Sequence, residues 1–335
     1  MRAPAFWWRE RASAPAYLLS PLGALYGAVT ARRMSLPGKA ADVAVLCIGN
    51  FVAGGAGKTP AALACARLLM DIGEAPTFLS RGYGGSLSGA TPVRVDPARH
   101  NSAMVGDEPL LLARAAPVFI CRDRVAGAQA AARAGASVVV MDDGLQNPAL
   151  GKDLSLAVVD GATGIGNGFC VPAGPLRAPL AAQLRSVGAV LIVGSGAAGD
   201  RVAVRARAVG VRVFTGRLVP ERDAVARVTG RKVFAFAGIG RPEKFFDTLA
   251  ACGAQIVGQR AFADHQPYTD ANMTEIATAA RNSGAELIVT TEKDACRLPS
   301  QGLAFTTLPV TLAFDEPSEV AGWLSSLRGA GSRGV

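Results

Sequence analysis

The chain has 335 residues, of which half are apolar and 18% are charged, and this composition excludes a disordered protein and fits a well-buried α/β fold. Its length exceeds the size at which one hydrophobic core stops growing, so two domains are expected, with one large domain as the alternative. The 35 Lys and Arg against 26 Asp and Glu favour anionic partners, but scattered basic residues without interleaved aromatics argue against nucleic acid. The six cysteines form no C-x-x-C pair, which indicates reduced thiols in a cytosolic protein.

The N-terminal segment differs from the rest of the chain. Trp7 and Trp8, which would suit the headgroup depth of a membrane, precede a largely uncharged stretch that closes with Arg32 and Arg33. Its charges and prolines argue against a signal peptide and make it marginal as a membrane span. Its apolar residues share one helical face, which predicts a helix in the membrane interface or, equally, a terminal helix docked on the protein's own core. That face comprises Leu18, Leu19, Leu22, Leu25, Tyr26 and Val29.

Short β-rich runs alternate with alanine-rich helical stretches after residue 33. This alternation predicts βαβ units around a parallel sheet. The predicted strands cover residues 43–48, 76–79, 118–121, 137–141, 156–159 and 189–193, and the predicted helices include 59–72, 109–114 and 125–134.

The first predicted strand runs into a glycine-rich loop that opens a helix. Backbone N–H groups that converge at a helix N-terminus bind phosphate, so this context predicts a P-loop for ATP, whose γ-phosphate passes to an acceptor hydroxyl. Lys58 is expected to reach the β- and γ-phosphates, and the Thr59 hydroxyl to ligate Mg²⁺. One departure from the strict pattern is Val52, which stands where glycine is usual. The loop residues are Gly54, Gly55, Ala56, Gly57, Lys58 and Thr59.

Two adjacent acids, Asp142 and Asp143, end the apolar strand predicted at 137–141. A carboxylate at the carboxyl end of a parallel strand beside a P-loop is the usual holder of nucleotide Mg²⁺, although a solvated turn is the alternative. Adjacent acids repel each other, so a nearby cation is expected. Further loops after strands gather at the same edge of an open sheet, which places their arginines near the phosphates. These loops cover residues 80–85, 106–109, 122–124 and 172–177.

A second α/β set follows a change in composition near residues 212–227. The sequence predicts an N-terminal membrane-associating helix over 1–33, a P-loop domain over 34–215 and a smaller α/β domain over 216–335, with the active site in the cleft between the domains. The expected elements of the smaller domain are strands 232–237, 255–262 and 286–290 and helices 242–251 and 270–282.

His265, one of only two histidines, follows a strand of the smaller domain. Closure of the domains would bring it to the P-loop and give it a catalytic role. A single histidine is more often structural, so that alternative stays open at this point.

These segments together resemble the tetraacyldisaccharide 4′-kinase family, the lipid A 4′-kinases of Gram-negative bacteria. The sequence departs from the family at Gln266, where relatives carry a second histidine, and at Leu145, where they carry an aromatic residue. Neither change removes a charge at the reacting centre. The matching blocks lie in family order at residues 49–60, 79–85, 106–109, 142–146, 172–177, 236–242, 264–266 and 291–294.

The resemblance implies an activity, a location and a fold. The activity is Mg²⁺-dependent transfer of the ATP γ-phosphate to the 4′-hydroxyl of a tetraacylated glucosamine disaccharide 1-phosphate, a step of lipid A biosynthesis. The location is the cytoplasmic face of the inner membrane, where a peripheral or monotopic protein meets its lipid substrate; no stable protein partner is evident. The fold is a P-loop NTPase-type domain and a smaller α/β domain, which are joined by a short two-stranded linker and close over the nucleotide.

The resemblance also implies roles for individual residues. Asp107 would be the base that takes the proton from the sugar hydroxyl, with His265 as its hydrogen-bond partner across the cleft. Lys58 would complete the catalytic set. Glu108 and Asp142 would lie near the metal, with Thr59 and Asp143 already expected there from their sequence context, and phosphate charge would be stabilised by Arg124 and Arg177.

Two other interpretations compete with this one. A P-loop GTPase or metallochaperone is suggested by residues 291–294, but a guanine-reading loop has Asp two positions after Lys, whereas Lys293 and Asp294 are adjacent. A soluble P-loop kinase or ligase for a small polar substrate would gain nothing from a membrane surface.

Overall fold

The computed structural model describes residues 3–299 and 303–329, which form two sheets covered by helices. A 3-10 helix, Ala5–Trp8, precedes the long helix α1 (Ala14–Met34). The next strands are β1 (Ala44–Gly49), β2 (Pro76–Ser80), β3 (Val93–Arg94), β4 (Val118–Ile120), β5 (Val138–Asp142), β6 (Leu154–Asp160), β7 (Ala189–Val193) and β8 (Arg212–Pro220). The helices among them are α2 (Lys58–Asp71), α3 (Ser102–Val105), α4 (Asp107–Leu112), α5 (Arg124–Arg133), α6 (Leu180–Leu184) and α7 (Ala197–Ala208).

The smaller sheet lies in the second part of the chain. Its elements are α8 (Arg222–Val228), β9 (Lys232–Ala237), α9 (Pro242–Ala251), β10 (Gln255–Ala261), α10 (Asp270–Asn282), β11 (Leu287–Thr290), α11 (Glu292–Ala295) and β12 (Thr306–Thr307). The chain then continues through β13 (Val310–Phe314), α12 (Pro317–Ser325) and a 3-10 helix, Ser326–Gly329. The strand order of this sheet is β10-β9-β11-β12, with all pairs parallel.

The larger sheet has nine strands in the order β13-β8-β7-β6-β1-β5-β2-β4-β3. Its central strands are parallel, and only the edge strands β13 and β3 run antiparallel to their neighbours. Every residue of β1 and β5 is buried, as expected for strands covered by helices on both faces. Because β1 is flanked by β5 on one side and β6 on the other, the strand order reverses there, and ligands bind open α/β sheets at such switch points. The predicted P-loop NTPase-type fold is confirmed.

The C-terminal segment returns to the larger sheet. Strand β13 pairs with β8 from Val310 opposite Pro220 to Phe314 opposite Gly216, and Trp323 of α12 packs against Phe214 of β8. The β8–β13 pair thus connects the two sheets. The predicted assignment of 216–335 to the smaller domain did not anticipate this return, because the pairing of a five-residue strand with a distant partner leaves no local signal.

Helix α1 lies against the larger domain through its small residues. A Cβ atom on Gly23 would stand 2.7 Å from the backbone oxygen of Cys170, so only glycine permits this approach. The predicted apolar face points away from the core: Leu18 is 81% exposed and Leu25 is 65% exposed. The helix therefore docks on the protein's own core and still presents an apolar surface. Among the described residues, no helix is both long and apolar enough to cross a membrane.

Contrary to the sequence prediction, the two N-terminal tryptophans do not lie exposed for a membrane headgroup layer but pack on the protein itself. Both are half-buried against the larger domain. The Trp7 indole N–H donates a hydrogen bond of 2.9 Å to the Pro172 carbonyl, and Trp8 packs on the apolar cluster beneath the glycine-rich loop. A buried indole needs such a partner for its N–H group, and here the protein itself provides it.

We predict opposite effects for the same substitution in two helices. Gly23→Ala should lower the free energy of unfolding by about 1–3 kcal/mol, because the new methyl group meets a backbone oxygen. Gly322→Ala in α12 is the matched control: it meets nothing within 4 Å and should raise the free energy of unfolding by about 0.5–1 kcal/mol. Urea denaturation of both variants measures the difference, and equal stability would contradict the docked position of α1.

Candidate active site

The glycine-rich loop joins β1 to α2, as the sequence predicts. Asn50 is buried, and its side-chain amide donates a hydrogen bond of 2.9 Å to the Gly54 carbonyl, which holds the loop in shape. Gly57 has φ +85°, a conformation that side chains disfavour, and α2 begins at the next residue, Lys58. The first N–H groups of α2 have no partner within the helix, so the loop ends at a natural binding site for phosphate oxygens.

The valine in place of a glycine has a structural reason. Val52 is buried and forms an antiparallel bridge with Leu176, and the next amide, of Ala53, donates to the Pro175 carbonyl at 2.7 Å. In the described residues, positive φ outside glycine occurs at Asp143 and His265 alone. The loop therefore needs no glycine at residue 52.

Asp143 is held by two cations. The Arg177 guanidinium donates to both carboxylate oxygens of Asp143, at 2.8 and 3.1 Å, and the Lys58 ammonium lies 3.7 Å away. Burial alone would raise the pKa of Asp143, but the charges of Lys58 and Arg177 outweigh burial and lower this pKa. The sequence predicts a cation beside the two adjacent acids, and Lys58 and Arg177 fill this place.

Asp142 has the opposite environment. It is 2% exposed, and its Oδ1 atom has no hydrogen-bond partner among the described residues. Burial, together with the negative charges of Glu108 and Asp143, raises the pKa of Asp142 to about 7. A buried carboxylate oxygen without a donor lacks a cation, and this chemistry fits a Mg²⁺ ligand.

Arg124 lies behind Asp142 rather than in the open cleft. It is 3% exposed, and its guanidinium donates to the backbone oxygens of Cys121 and Asp142, both at 3.4 Å. In this conformation Arg124 is therefore not placed for the direct contact with phosphate that the sequence predicts. The positive charge of Arg124 acts on Asp142 instead.

A cage made only of protein ligands is absent from residues 3–299 and 303–329: no three His, Cys, Asp or Glu side chains gather with metal-binding geometry. Protein-bound Mg²⁺ commonly takes one or two carboxylates, and phosphates and water complete its octahedron. A site formed by Asp142, Thr59 and nucleotide phosphates needs no such cage.

The structure places Asp107 beside His265, across the cleft between the domains. Asp107 begins α4 and is 4% exposed, whereas His265 lies in the loop after β10. The Nδ1 atom of His265 is 3.1 Å from the Asp107 carboxylate. Burial would raise the pKa of Asp107, but the hydrogen bond from His265 and the charges of Lys293, His265 and Arg297 outweigh burial and lower it.

Two basic residues of this cluster received no role from the sequence. The Lys293 ammonium lies 3.1 Å from a Glu108 carboxylate oxygen and 3.3 Å from His265 Nε2. The Arg297 Nε atom lies 3.4 Å from the Asp107 carboxylate. The block at residues 291–294 and the four-residue spacing of these cations were the available signals, but neither shows which carboxylates they meet.

A second contact joins the domains beside a cavity of about 400 Å³. Asp160, at the end of β6, accepts hydrogen bonds from Arg241 and from the Lys244 ammonium of α9, both at 2.9 Å. Burial would raise the pKa of Asp160, but the charges and hydrogen bonds of Lys244 and Arg241 lower it. The loop at Gly240 reaches the glycine-rich loop itself, since a Cβ on Gly240 would lie 3.7 Å from the Gly55 nitrogen.

Strand, phosphate loop and helix on a parallel sheet, with a second, four-stranded sheet whose loop reaches the phosphate loop, define a P-loop protein of the nucleoside triphosphate-binding class. Residues 15–328 match the model of the tetraacyldisaccharide-1-P 4′-kinase family. The chain belongs to this family, whose members are phosphotransferases with a hydroxyl acceptor.

Relatives resemble the chain over nearly its whole length. It is 57% identical to tetraacyldisaccharide 4′-kinase of Methylobacterium nodulans over 95% of this chain and 93% of the relative. It is 59% identical to the enzyme of the same name from Methylobacterium radiotolerans, over 94% and 95% of the two chains. A crystal structure of LpxK from Aquifex aeolicus in complex with ATP superposes with a TM-score of 0.69 at 23% identity and covers 93% of this chain and 99% of that one. This last likeness supports the fold.

We predict that Asp160→Asn loosens the contact between the domains. The uncharged amide leaves Arg241 and Lys244 without a counter-charge, so the free energy of unfolding should fall by roughly 1–2 kcal/mol, less than for a fully buried pair because both cations are partly exposed. Hydrogen exchange should rise in α9. In the wild type the same contribution is present above about pH 4 and is lost as the pH falls through the lowered pKa of Asp160.

Asp315→Asn is the matched control for this experiment. Asp315 pairs with Arg217 at an exposed site of the β8–β13 pair, so its loss should change the free energy of unfolding by less than about 0.5 kcal/mol. Equal effects of the two variants, or unchanged exchange in α9, would contradict the role of Asp160.

Proposed function

We propose that this protein transfers the γ-phosphate of ATP to the 4′-hydroxyl of a tetraacylated glucosamine disaccharide 1-phosphate, as a step of lipid A biosynthesis. The observation that carries the proposal is the meeting of two sets of residues in one cleft. The glycine-rich loop with Lys58 and Asp143 supplies a phosphate site, and the Asp107–His265 pair supplies a proton acceptor. The two sets are close: the charge of Glu108, next to Asp107, contributes to the raised pKa of Asp142, and the loop at Gly240 reaches Gly55. Family membership names the acceptor.

Asp107 is the base of this reaction. The acceptor oxygen attacks the γ-phosphorus, the bond from that phosphorus to the bridging oxygen breaks, ADP leaves, and the hydroxyl proton passes to Asp107. A carboxylate with a lowered pKa is a weak base, but it is ionised at neutral pH and so is always ready to accept. Phosphoryl transfer through a loose transition state depends more on positioning and charge than on base strength.

The charges around the phosphates have separate sources. Lys58 and Arg177 hold Asp143 in the present conformation, and both are partly exposed, so they can turn to phosphate oxygens. The buried Arg124 guanidinium donates to the Asp142 backbone oxygen, and its positive charge acts on the Asp142 carboxylate. When bound, Mg²⁺ would neutralise phosphate charge, and the residues that would hold it are Thr59 and Asp142, with the carboxylates of Glu108 and Asp143 nearby.

We predict that Asp107→Asn lowers kcat by 10²-fold or more, on the order expected for a general base, because the amide has the same shape and takes no proton. The assay follows transfer of γ-labelled phosphate from ATP to the lipid disaccharide 1-phosphate. Asp71→Asn, at an exposed position at the end of α2, should turn over like the wild type. Wild-type turnover of Asp107→Asn would remove this assignment.

The lipid acceptor also gives the exposed face of α1 a role. A substrate with four acyl chains does not leave a bilayer readily, since each buried CH₂ contributes about 0.8 kcal/mol. The enzyme must therefore reach the membrane, and α1 presents an apolar face with Arg32 and Arg33 in its last turn. We propose that the protein binds the cytoplasmic face of the inner membrane peripherally, through this helix.

We predict that the triple variant Leu18→Ser, Leu22→Ser, Leu25→Ser loses binding to anionic phospholipid vesicles and turns over vesicle-borne substrate more slowly. Its free energy of unfolding should stay close to that of the wild type, because these side chains are exposed. Val204→Ser, at an equally exposed position on α7, is the control and should bind vesicles normally. Unchanged vesicle binding of the triple variant would favour a soluble P-loop kinase for a polar acceptor.

A further inference from the structure

Lys293 occupies a bridging position in the cleft that the proposed reaction leaves unexplained. Its ammonium lies 3.1 Å from Glu108 of the larger domain and 3.3 Å from Nε2 of His265 in the smaller domain. The other ring nitrogen of His265, Nδ1, faces Asp107 at 3.1 Å. One imidazole ring is thus held between a cation and a carboxylate.

The chemistry of the two partners determines which ring nitrogen carries the proton. A lysine ammonium has three N–H donors and no acceptor, so Lys293 can hydrogen-bond to Nε2 only if this nitrogen presents a lone pair. In a neutral imidazole the proton is then on Nδ1, which donates it to the Asp107 carboxylate. Both short contacts are satisfied by this tautomer, and the Nε2–H tautomer satisfies neither.

The Lys293 side chain is positively charged in this position. A lysine side chain is ordinarily a cation at neutral pH, and here the ammonium lies 3.1 Å from the Glu108 carboxylate. A doubly protonated His265 would therefore place two donors against each other.

Within the described residues, one other charged group lies near Nε2. The Asp264 carboxylate lies 3.8 Å from this nitrogen, which is too long for a hydrogen bond. Tyr83 meets the imidazole ring edge-on, with 5.9 Å between ring centres, and contributes no acceptor there. Lys293 is thus the nearest polar partner of Nε2.

We propose that Lys293 is a positioning residue, which fixes the tautomer of His265 so that Nδ1–H stays on the Asp107 carboxylate and which ties this pair to Glu108. The role of Asp107 as base rests on the proposed function, whereas the tautomer follows from the contacts. Without Lys293, Nε2 loses its donor and the Nε2–H form becomes accessible. In that form a ring lone pair would face a carboxylate oxygen, and Asp107 would lose its orientation.

The direct test is the tautomer itself. Because the chain has two histidines, His100→Asn leaves His265 as the only one, and His100 lies in a loop where its Nδ1 accepts the Asp96 amide N–H. Protonated and unprotonated ring nitrogens give well-separated ¹⁵N NMR signals in protein labelled at histidine. We expect one signal of each kind, with the proton on Nδ1. An Nε2-protonated or doubly protonated ring at neutral pH overturns the proposal without any further variant.

Lys293→Met in the same background removes the donor and keeps the length of the side chain. The proton should then exchange between both nitrogens or move to Nε2, and kcat should fall about 10–100-fold, as is common when an orienting partner is removed, with the KM for ATP little changed. Lys293→Arg keeps the charge and should retain the Nδ1–H signal. A Lys293→Met protein with the wild-type tautomer and wild-type kcat contradicts the proposal.

Lys244→Met is the matched control, since Lys244 also joins the two domains through a carboxylate but does not touch His265. This variant should weaken the contact between the domains and leave the ¹⁵N signals unchanged. A change of tautomer in this variant would mean that the packing of the domains, and not Lys293, determines the tautomer of His265, and would overturn the proposal. The NMR result does not depend on turnover. A wild type with the Nδ1–H form and no lipid kinase activity would refute the proposed function alone.

Discussion

Among the contacts across the cleft, the hydrogen bond between His265 and Asp107 sets the position of the proposed base. Asp107 begins a short helix of the larger domain, and His265 sits in a loop of the smaller one, so neither residue has its partner within its own sheet. The contact therefore depends on how the two sheets pack against each other. The same packing brings the loop at Gly240 against the glycine-rich loop, so the position of the base and the approach to the phosphate site share one interface.

Balanced charge allows this close packing. Four carboxylates gather around the phosphate loop, and isolated buried charges of one sign would be costly. Basic side chains compensate three of them directly, whereas Asp142 keeps a buried oxygen without a donor and a raised pKa. The remaining deficit fits a metal ion carried by the nucleotide. The compensating ion pairs are Asp143 with Lys58 and Arg177, Glu108 with Lys293, and Asp107 with Arg297.

Helix α1 docks on the larger sheet through one face and leaves its apolar face exposed. Gly23 and Gly27 allow close approach to the core around Cys170, and the leucines on the opposite face remain exposed. The two interpretations of this helix, docked or interfacial, are therefore compatible rather than exclusive.

The sequence by itself determined the α/β class, most strand and helix positions, and the phosphate loop, because these depend on local periodicity and on residue types at short spacing. It also resembled its family closely enough to name Asp107 and His265. Tertiary structure alone decided that 310–329 rejoin the larger sheet, that Arg124 lies behind Asp142, and that Lys293 bridges Glu108 and His265. These outcomes rest on pairings between residues far apart in the chain, which side-chain identity and spacing do not encode locally.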